Sequence, residues 1–594
     1  MDPSKPLLIF DGDCGFCRRW IERWRGITGD LVEYAPYQEA GGRFPQIPEK
    51  NFRDAVQLVE PDGKIYSAAE AVFRSLAVRR SHRWPLALYL HVPGARAVTE
   101  FFYRQVARHR AFFSHVTSFF WGKDVRRPSY HLSSAFFLKA LGLVYFFAFL
   151  SLATQITGLI GEHGIFPGAR YLKAVAENNG PERYWFLPTL AWFNASDFFL
   201  KFLAWGGVFF SAMIMAGILP ALFLFLSWFF YLSLLGVSGP FLSFQWDILL
   251  LETGFLAIFL APPCVRSRCV SLDFDLGTAR FFLKLLLFKL MFSSGLVKLA
   301  SHDAVWKNLT ALTYHYRTQP LPAWTSWYAD HWPIWFQKTS CFLVLAIELG
   351  APFFIFFPRR LRHAAAAVLA GFQLLIFATG NYNFFNLLTM ALCLLLVEDA
   401  AWPVSWRKKL ASPEVCARKK NRWPRAVVSS VGIFIILMNL NFLPVFRSFQ
   451  ITGHYGLFAV MTTERPEIIV EGSRDGKEWL AYEFKYKPGD VRRRPRFVEP
   501  FQPRLDWQMW FAALGSWRQN LWFLYFCQRL LEGSPDVLKL LAKNPFPDGP
   551  PRYIRALVYE YDFTTPEERK KTGAWWKREL KGIYSPVMSL KETE

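Results

Sequence analysis

The spacing of apolar and polar positions changes twice along the chain. Within residues 1–125, Leu7–Phe10 reads as a short buried strand, and FCRRWIERWRGI then brings Phe16, Trp20, Trp24 and Ile27 together at helical spacing. LVEYAPY reads as a second strand, DAVQLVEPDGKIYS as two strands joined at Pro61-Asp62-Gly63, and SAAEAVFRSLAV as a helix. From Ser133 the pattern gives way to long apolar runs near 136–160, 198–218, 220–238, 244–262, 278–299, 339–357, 363–379, 384–398 and 426–446. Several reach the ~20 residues that cross a hydrocarbon core, the shorter ones being tilted, re-entrant or flanked by interfacial aromatics. About nine spans is the expectation. Beyond 446, EIIVEGSRDGKEWLAYEFKY predicts two strands around an Asp-Gly turn, NLWFLYFCQRLLEG a helix and YIRALVYEYDF a final strand.

The fold class that follows is multidomain: an α/β domain over 1–125, a polytopic α-helical membrane bundle over 131–446, and a C-terminal mixed α/β globular domain over 447–594. Composition agrees, because a chain of 594 residues that is 52% hydrophobic and 18% aromatic is too apolar for an ordinary soluble enzyme. The formal charge of +22 does not point to nucleic acid, since the basic residues fall largely in short clusters between apolar runs. Arg266 and Arg268, then Arg359, Arg360 and Arg362, then the RKK runs at 407–409 and 418–420 all fall on one side, which the positive-inside rule makes cytosolic. An odd span count then puts the loops 162–197 and 300–338, with the tail from 447, on the extracytoplasmic side. The opening MDPSKPLLIFDGD lacks a basic n-region, a long apolar h-region and a cleavage site, predicting no secretory signal peptide and a cytosolic N-terminus.

Eight cysteines are too sparse for a disulfide-stapled domain, which concentrates redox chemistry in FDGDCGFC. Cys14 and Cys17, two residues apart at a helix start, can close a disulfide without backbone movement, and orphan N–H groups with the helix dipole favour a thiolate there. Asp11 and Asp13 oppose this by placing negative charge beside Cys14. The alternatives are an inert pair, or half a zinc site, which would need a second Cys or His pair; Cys264 and Cys269 are distant in sequence, and no metal is predicted. FDGDCGFCRRW together with EPDGKIYSAAEAV resembles the thiol-disulfide oxidoreductase DCC family over about residues 5–125. The resemblance implies a thioredoxin-like fold, with Cys14 as attacking thiol and Cys17 as resolving thiol. Such folds place a cis-proline opposite the thiols, and Pro48 is the nearest candidate.

Polar residues within or beside the apolar runs form a second group of candidates. Asp247 and Glu252 lie within one run and point ~140° apart on a helix, so they are not a shared acid/base pair. Either they face a cavity, or Asp247 is interfacial and Glu252 pairs with a lysine of another span. Lys298, at a span end, either snorkels or faces a dry cavity where it can serve as a base. His315, Arg317 and Asn381 complete the membrane-site candidates, Asn381 with Asn383 and Asn386 at a break between two spans. Cys341 and Cys393 read as inert packing residues.

SFQWDILLLETGFLAIFLAPP, WKNLTALTYHYRTQPLP, IELGAPFF, GNYNFFNLLTM, YEFKYKPGD, RLDWQMWFAALG and KNPFPDGPPRY resemble the lipase maturation factor family, over about residues 131–590. That resemblance implies a role in the folding or maturation of exported proteins, in eukaryotes at the endoplasmic reticulum with the tail in the lumen. SGLVKL at 294–299, with Trp306, looks like the segment of vitamin K-dependent γ-carboxylases that carries a catalytic lysine, here Lys298.

Three functions follow. The first is a membrane-bound thiol-disulfide oxidoreductase and maturation factor, partnered by the bilayer, exported or membrane client proteins and a thiol redox partner, with no cofactor. The second is a membrane enzyme using a quinone or other lipid-soluble cofactor and Lys298 as base. The third is a non-enzymatic scaffold. The bacterial inner membrane is the expected location, and the endoplasmic reticulum membrane in a eukaryote.

Overall fold

The computed structural model describes residues 3–122, 124–263, 265, 277–410 and 423–590. Arg266, Arg268, Cys264, Cys269 and the 418–420 cluster lie outside them. The chain divides into two compact units, one of residues 1–129 with 356–364, the other of 130–355 with 365–594.

In the first unit, β1 (Leu7–Phe10) leads into α1 (Gly15–Thr28) and returns as β2 (Glu33–Pro36). After α2 (Glu49–Asp54) come β3 (Gln57–Val59) and β4 (Ile65–Ser67), then α3 (Ala68–Ala77), α4 (Trp84–His91), α5 (Ala95–Arg108) and α6 (Arg110–Trp121). The sheet order is β2-β1-β3-β4, with β1 parallel to β2 and antiparallel to β3: a βαβ unit followed by a hairpin. All four residues of β1 are buried, as expected of a central strand covered on both faces. The hairpin turns where Gly63 takes φ 78°, a conformation glycine adopts without strain. Pro48 caps α2 and does not supply the expected cis bond; among the described residues the cis peptide is Glu499–Pro500.

Every one of the nine apolar runs is helical: α7 (His131–Ala153), α8 (Asp197–Ala216), α9 (Pro220–Val237), α10 (Gln245–Leu260), α11 (Gly277–Ala300), α13 (Ile334–Gly350), α14 (Arg359–Thr379), α15 (Phe385–Leu394) and α16 (Arg425–Asn439). The short α12 (Leu312–Thr318) lies in the loop before α13. Among the described residues five helices are long and apolar enough to cross a membrane: α7, α8, α9, α14, and α13 with its extension to Phe356. The others are shorter or more polar; α10 has 16 residues, and α11 carries Arg280, Lys284, Lys289 and Lys298.

Small residues set the closest helix approaches, as in membrane bundles generally. A Cβ on Gly207 of α8 would lie 2.3 Å from the Phe149 ring of α7. At Gly254 of α10 it would meet the Tyr145 hydroxyl, which donates to the Leu250 carbonyl at 3.1 Å.

The tail adds β5 (Pro466–Ser473), β6 (Leu480–Ala481), α17 (Arg504–Ala513), α18 (Leu521–Leu531), β7 (Tyr553–Phe563) and β8 (Trp576–Met588), in an antiparallel sheet ordered β8-β7-β5-β6. The expected second strand after the Asp-Gly turn is broken: buried Tyr482 still donates its N–H to Val470, but the chain then leaves the sheet and Glu483–Phe484 pairs elsewhere. Tail and membrane helices share one continuous apolar core, in which the Trp246 and Trp507 rings lie 4.7 Å apart and Phe241 meets Trp522 at 5.7 Å.

Candidate functional site

The thiols stand where β1 ends and α1 begins. Gly12 is required there: a Cβ would fall 2.8 Å from the Pro36 side chain and 2.9 Å from the Gln38 carbonyl oxygen. Its N–H donates to that same Gln38 oxygen at 3.1 Å, while the Gln38 amide donates to Asp11 at 3.3 Å and Asp13 at 3.0 Å. Asp11 also accepts from the Asp13 N–H and from Arg110, at 3.1 and 3.3 Å. The two carboxylates expected to oppose a thiolate are thus both held by Gln38, and the charge of Asp11 alone is offset, by Arg110.

Cys14 is the N-cap of α1, and its sulfur accepts the Cys17 N–H at 3.4 Å. This is one of the orphan amides of a helix start, aimed at the sulfur in a contact that negative charge strengthens. Cys17 lies one turn further in, and burial pushes its thiol up to about 12, with Cys14 and Asp11 adding to the shift and Arg110 opposing it. The pair is therefore asymmetric, with an outer sulfur served by an amide and an inner one held protonated.

Behind Cys17 lies a cavity of about 560 Å³, walled by Phe16, Trp20 and Trp24 of α1 and by Phe102, Phe113 and Trp121 of α5 and α6, among others. The predicted apolar stripe of α1 forms this wall, Trp20 meeting Trp121 at 6.1 Å, and Arg19 of the same helix donates to Ser114 and Ser118 of α6. Arg110 sits at the polar end and donates to the carbonyls of Arg53 and Asp54 at 2.6 and 2.9 Å. Among the described residues no group of three or more His, Cys, Asp or Glu side chains has the geometry of a metal site.

The membrane-site candidates do not converge. Asp247 is fully buried; it receives two bonds from Arg504 of α17, at 3.0 and 3.1 Å, and one from the Tyr231 hydroxyl. Glu252 pairs with Lys289 of α11 at 2.6 Å and accepts from the Gly453 N–H and the Tyr455 hydroxyl, at 2.8 and 2.5 Å. Arg317 bridges Asp330 and Asp562 at 3.2 and 3.4 Å. Asn381 spans to the tail, its amide donating to Leu321 and Arg496 and its carbonyl accepting the Val498 N–H at 2.8 Å. These side chains are spent on holding helices to each other and to the tail.

Lys298 and His315 do share a cavity, of about 110 Å³, with Trp306, Glu348, Tyr382 and Phe458. Lys298 does not snorkel: it is 5% exposed and gripped by both Glu348 oxygens at 2.9 and 2.8 Å. His315 meets the Tyr382 hydroxyl at 3.1 Å, and burial, with the Lys298 charge, holds its imidazole down at about 4. A quinone does not fit here. Pockets that take such ligands run from roughly 300 Å³, and both Glu348 oxygens already occupy the Lys298 nitrogen. Cys341 and Cys393 are buried among apolar side chains.

The fold and this site define an integral membrane protein carrying an α/β thiol domain at its N-terminal end. Three family models match the chain: lipase maturation factor transmembrane domain over 132–404, lipase maturation factor C-terminal domain over 451–586, and DCC1-like thiol-disulfide oxidoreductase over 8–115. Lipase maturation factor 2 of Homo sapiens is 34% identical, over 76% of this chain and 82% of its own length, and that of Rattus norvegicus 33% over the same shares. Lipase maturation factor 1 of Homo sapiens is 34% identical, over 78% of this chain and 89% of its own. The chain belongs to the lipase maturation factor family. No solved structure is significantly similar to it.

Sequence reasoning did not find Arg110, Gln38, Glu348 or Arg504, which complete these sites. Arg110 and Gln38 follow the thiol loop by 99 and 27 residues respectively, counted from Asp11, and carry no local motif.

Proposed function

We propose that this chain is a membrane-bound maturation factor for exported or membrane proteins, lipases among them as its relatives' names indicate, whose N-terminal domain exchanges dithiol and disulfide at Cys14 and Cys17. The strand order, the thiol position and the match to DCC1-like oxidoreductases support a thioredoxin-like fold for that domain. The carrying observation is the asymmetry of the pair, with Cys14 capping α1 and accepting the Cys17 amide while Cys17 is buried.

In the forward direction the Cys14 thiolate attacks one sulfur of a partner disulfide, forming a mixed disulfide and releasing the first partner thiolate. Cys17 then attacks the Cys14 sulfur, expelling the second partner sulfur as a thiolate. The partner gains two electrons, the two thiol protons pass to its leaving sulfurs, and the protein is left with a Cys14–Cys17 disulfide. Burial keeps Cys17 protonated until the first partner thiolate, released when the mixed disulfide forms, takes its proton. Asp11 and Asp13, tied to Gln38 and Arg110, shape the loop and temper the charge beside the thiols.

In this reading the chain crosses the membrane about nine times with its basic clusters on the cytosolic side, so that the thiol domain of 1–125 is cytosolic and the region 447–594 lies on the extracytoplasmic side of the membrane region 131–446. The membrane is one across which proteins are exported: the bacterial inner membrane, or the endoplasmic reticulum membrane in a eukaryotic host. Replacing the resolving thiol tests the thiol reading. Cys17→Ser is expected to accumulate a mixed disulfide in cells that disappears in Cys14→Ser/Cys17→Ser; no Cys14-dependent adduct would leave the thiols without a partner and overturn it.

A further inference from the structure

Helices α4 to α6 expose large apolar side chains of the kind a soluble domain buries. Trp84, Val98, Phe101, Phe102, Phe112 and Phe119 are each between 51% and 68% exposed. Isolated exposed apolar residues are ordinary, but these follow helical spacing, with 98, 101 and 102 on one side of α5 and 112 and 119 two turns apart on α6. The same segment is strongly basic. Between residues 79 and 121 there are seven arginines and one acidic residue, Glu100, whose carboxylate already accepts from the Tyr89 hydroxyl. Arg96, Arg104 and Arg108 are exposed on α5 itself.

We infer that α4–α6 are an interfacial docking surface, seating the N-terminal unit on an anionic lipid leaflet with the aromatic side chains among the acyl chains and the arginines at the headgroups. Helices that join exposed aromatics to an arginine-rich polar face partition to this depth, and basic residues beside a membrane are drawn to acidic lipids. Tethering supports the choice of a bilayer as occupant. Residues 122–130 alone separate α6 from α7, the first helix able to cross a membrane, a tether of at most roughly 30 Å between the two helix ends. A protein partner is the weaker fit, because a run of arginines with one acid would need an equally one-sided acidic face. Phe102 belongs both to this surface and to the wall of the cavity behind Cys17. Docking therefore sets part of that cavity's wall against lipid.

The test uses the full chain in nanodiscs, with a nitroxide amino acid in place of Phe112 or, separately, Phe119, and in place of exposed Lys50 of α2 as an aqueous reference. Collision with oxygen reports lipid and collision with a water-soluble nickel chelate reports solvent. In phosphatidylglycerol-containing discs, positions 112 and 119 are expected to favour oxygen and position 50 the chelate, and in phosphatidylcholine alone positions 112 and 119 are expected to shift toward the chelate. Chelate access at both positions equal to that at 50 would overturn the inference. So would protection from both reagents, which marks a protein-covered face, and so would an insertion that ignores lipid charge. Cys14→Ser leaves this readout unchanged, so its failure and that of the thiol reading are separate results.

Discussion

The thiol domain and the polar interior of the membrane unit use charged side chains in opposite ways. Around Cys14 and Cys17 the charges are half-buried and shared, Asp11 between Gln38 and Arg110, and the sulfurs stand beside a cavity of about 560 Å³. In the membrane unit Asp247, Glu252, Lys298, Arg317 and Asn381 are each taken up by a fitted partner, and the cavity that Lys298 shares with His315 holds about 110 Å³. A polar residue in an apolar run marks a place that had to be compensated, and compensation by a neighbouring helix or by the tail uses the residue up. Chemistry needs a group whose partners leave it room.

The largest expected effect comes from breaking the most enclosed of these pairs. Arg504→Met strands Asp247 and should cost about 3–5 kcal/mol, the usual penalty for orphaning a buried ion. Thermal unfolding of the purified chain, and its loss of a single sharp size-exclusion peak, would report it. Lys298→Met should cost a similar amount by stranding Glu348, whereas Lys298→Met/Glu348→Gln should recover most of it, because replacing both ions can be nearly neutral. If the double variant stayed as unstable as the single one, the pair would not be the architectural clamp described.

A subtler handle is pH. Burial pushes Glu499 up to about 9, against the bonds it accepts from Tyr382 and Asn386. The folded chain therefore holds this proton where the unfolded chain has lost it, and this carboxyl's contribution should make stability fall as pH rises from about 4.5 to about 9. His315 acts with the opposite sign in a lower window: its depressed value makes stability rise with pH between about 4 and 6.5. Glu499→Gln should flatten the alkaline limb of the unfolding midpoint against pH and leave the acid limb in place. The smallest effect is at the surface, where Glu49→Ala breaks an exposed pair with Arg53 and should change stability by less than about 0.5 kcal/mol.

Much of this architecture was readable from local pattern. LLIF, the stripe Phe16, Trp20, Trp24 and Ile27, the turn at Gly63 and all nine apolar runs appear as strand, helix, hairpin and helices. What local pattern hides is pairing across long separations. Nothing near Lys298 announces Glu348, and nothing near Asp247 announces Arg504, so neither partner could be named from the sequence. Span length was hard to read for a related reason: α11 keeps four basic residues, and Lys289 and Lys298 are matched by carboxylates on other helices. β8 was missed because WKRELKGIYSPVM is a mostly exposed edge strand, charged and interrupted by bulges, which blunts edge pairing and erases the alternation that would reveal it. At the thiol site the two cysteines were legible from their spacing and the cavity was not, since its far wall comes from α5 and α6, for which no element had been expected.

The central claim is that the chain's reactive pair is Cys14 and Cys17 and that Lys298 serves architecture. Equilibrating the full-length protein in glutathione buffers of stepped potential, then alkylating, tests it most directly. The account predicts one two-electron transition, in which both thiols lose reactivity together, absent in Cys14→Ser and preserved in Lys298→Met/Glu348→Gln. Independent alkylation of the two thiols at every potential, or loss of the transition in the lysine and glutamate variant, would contradict it.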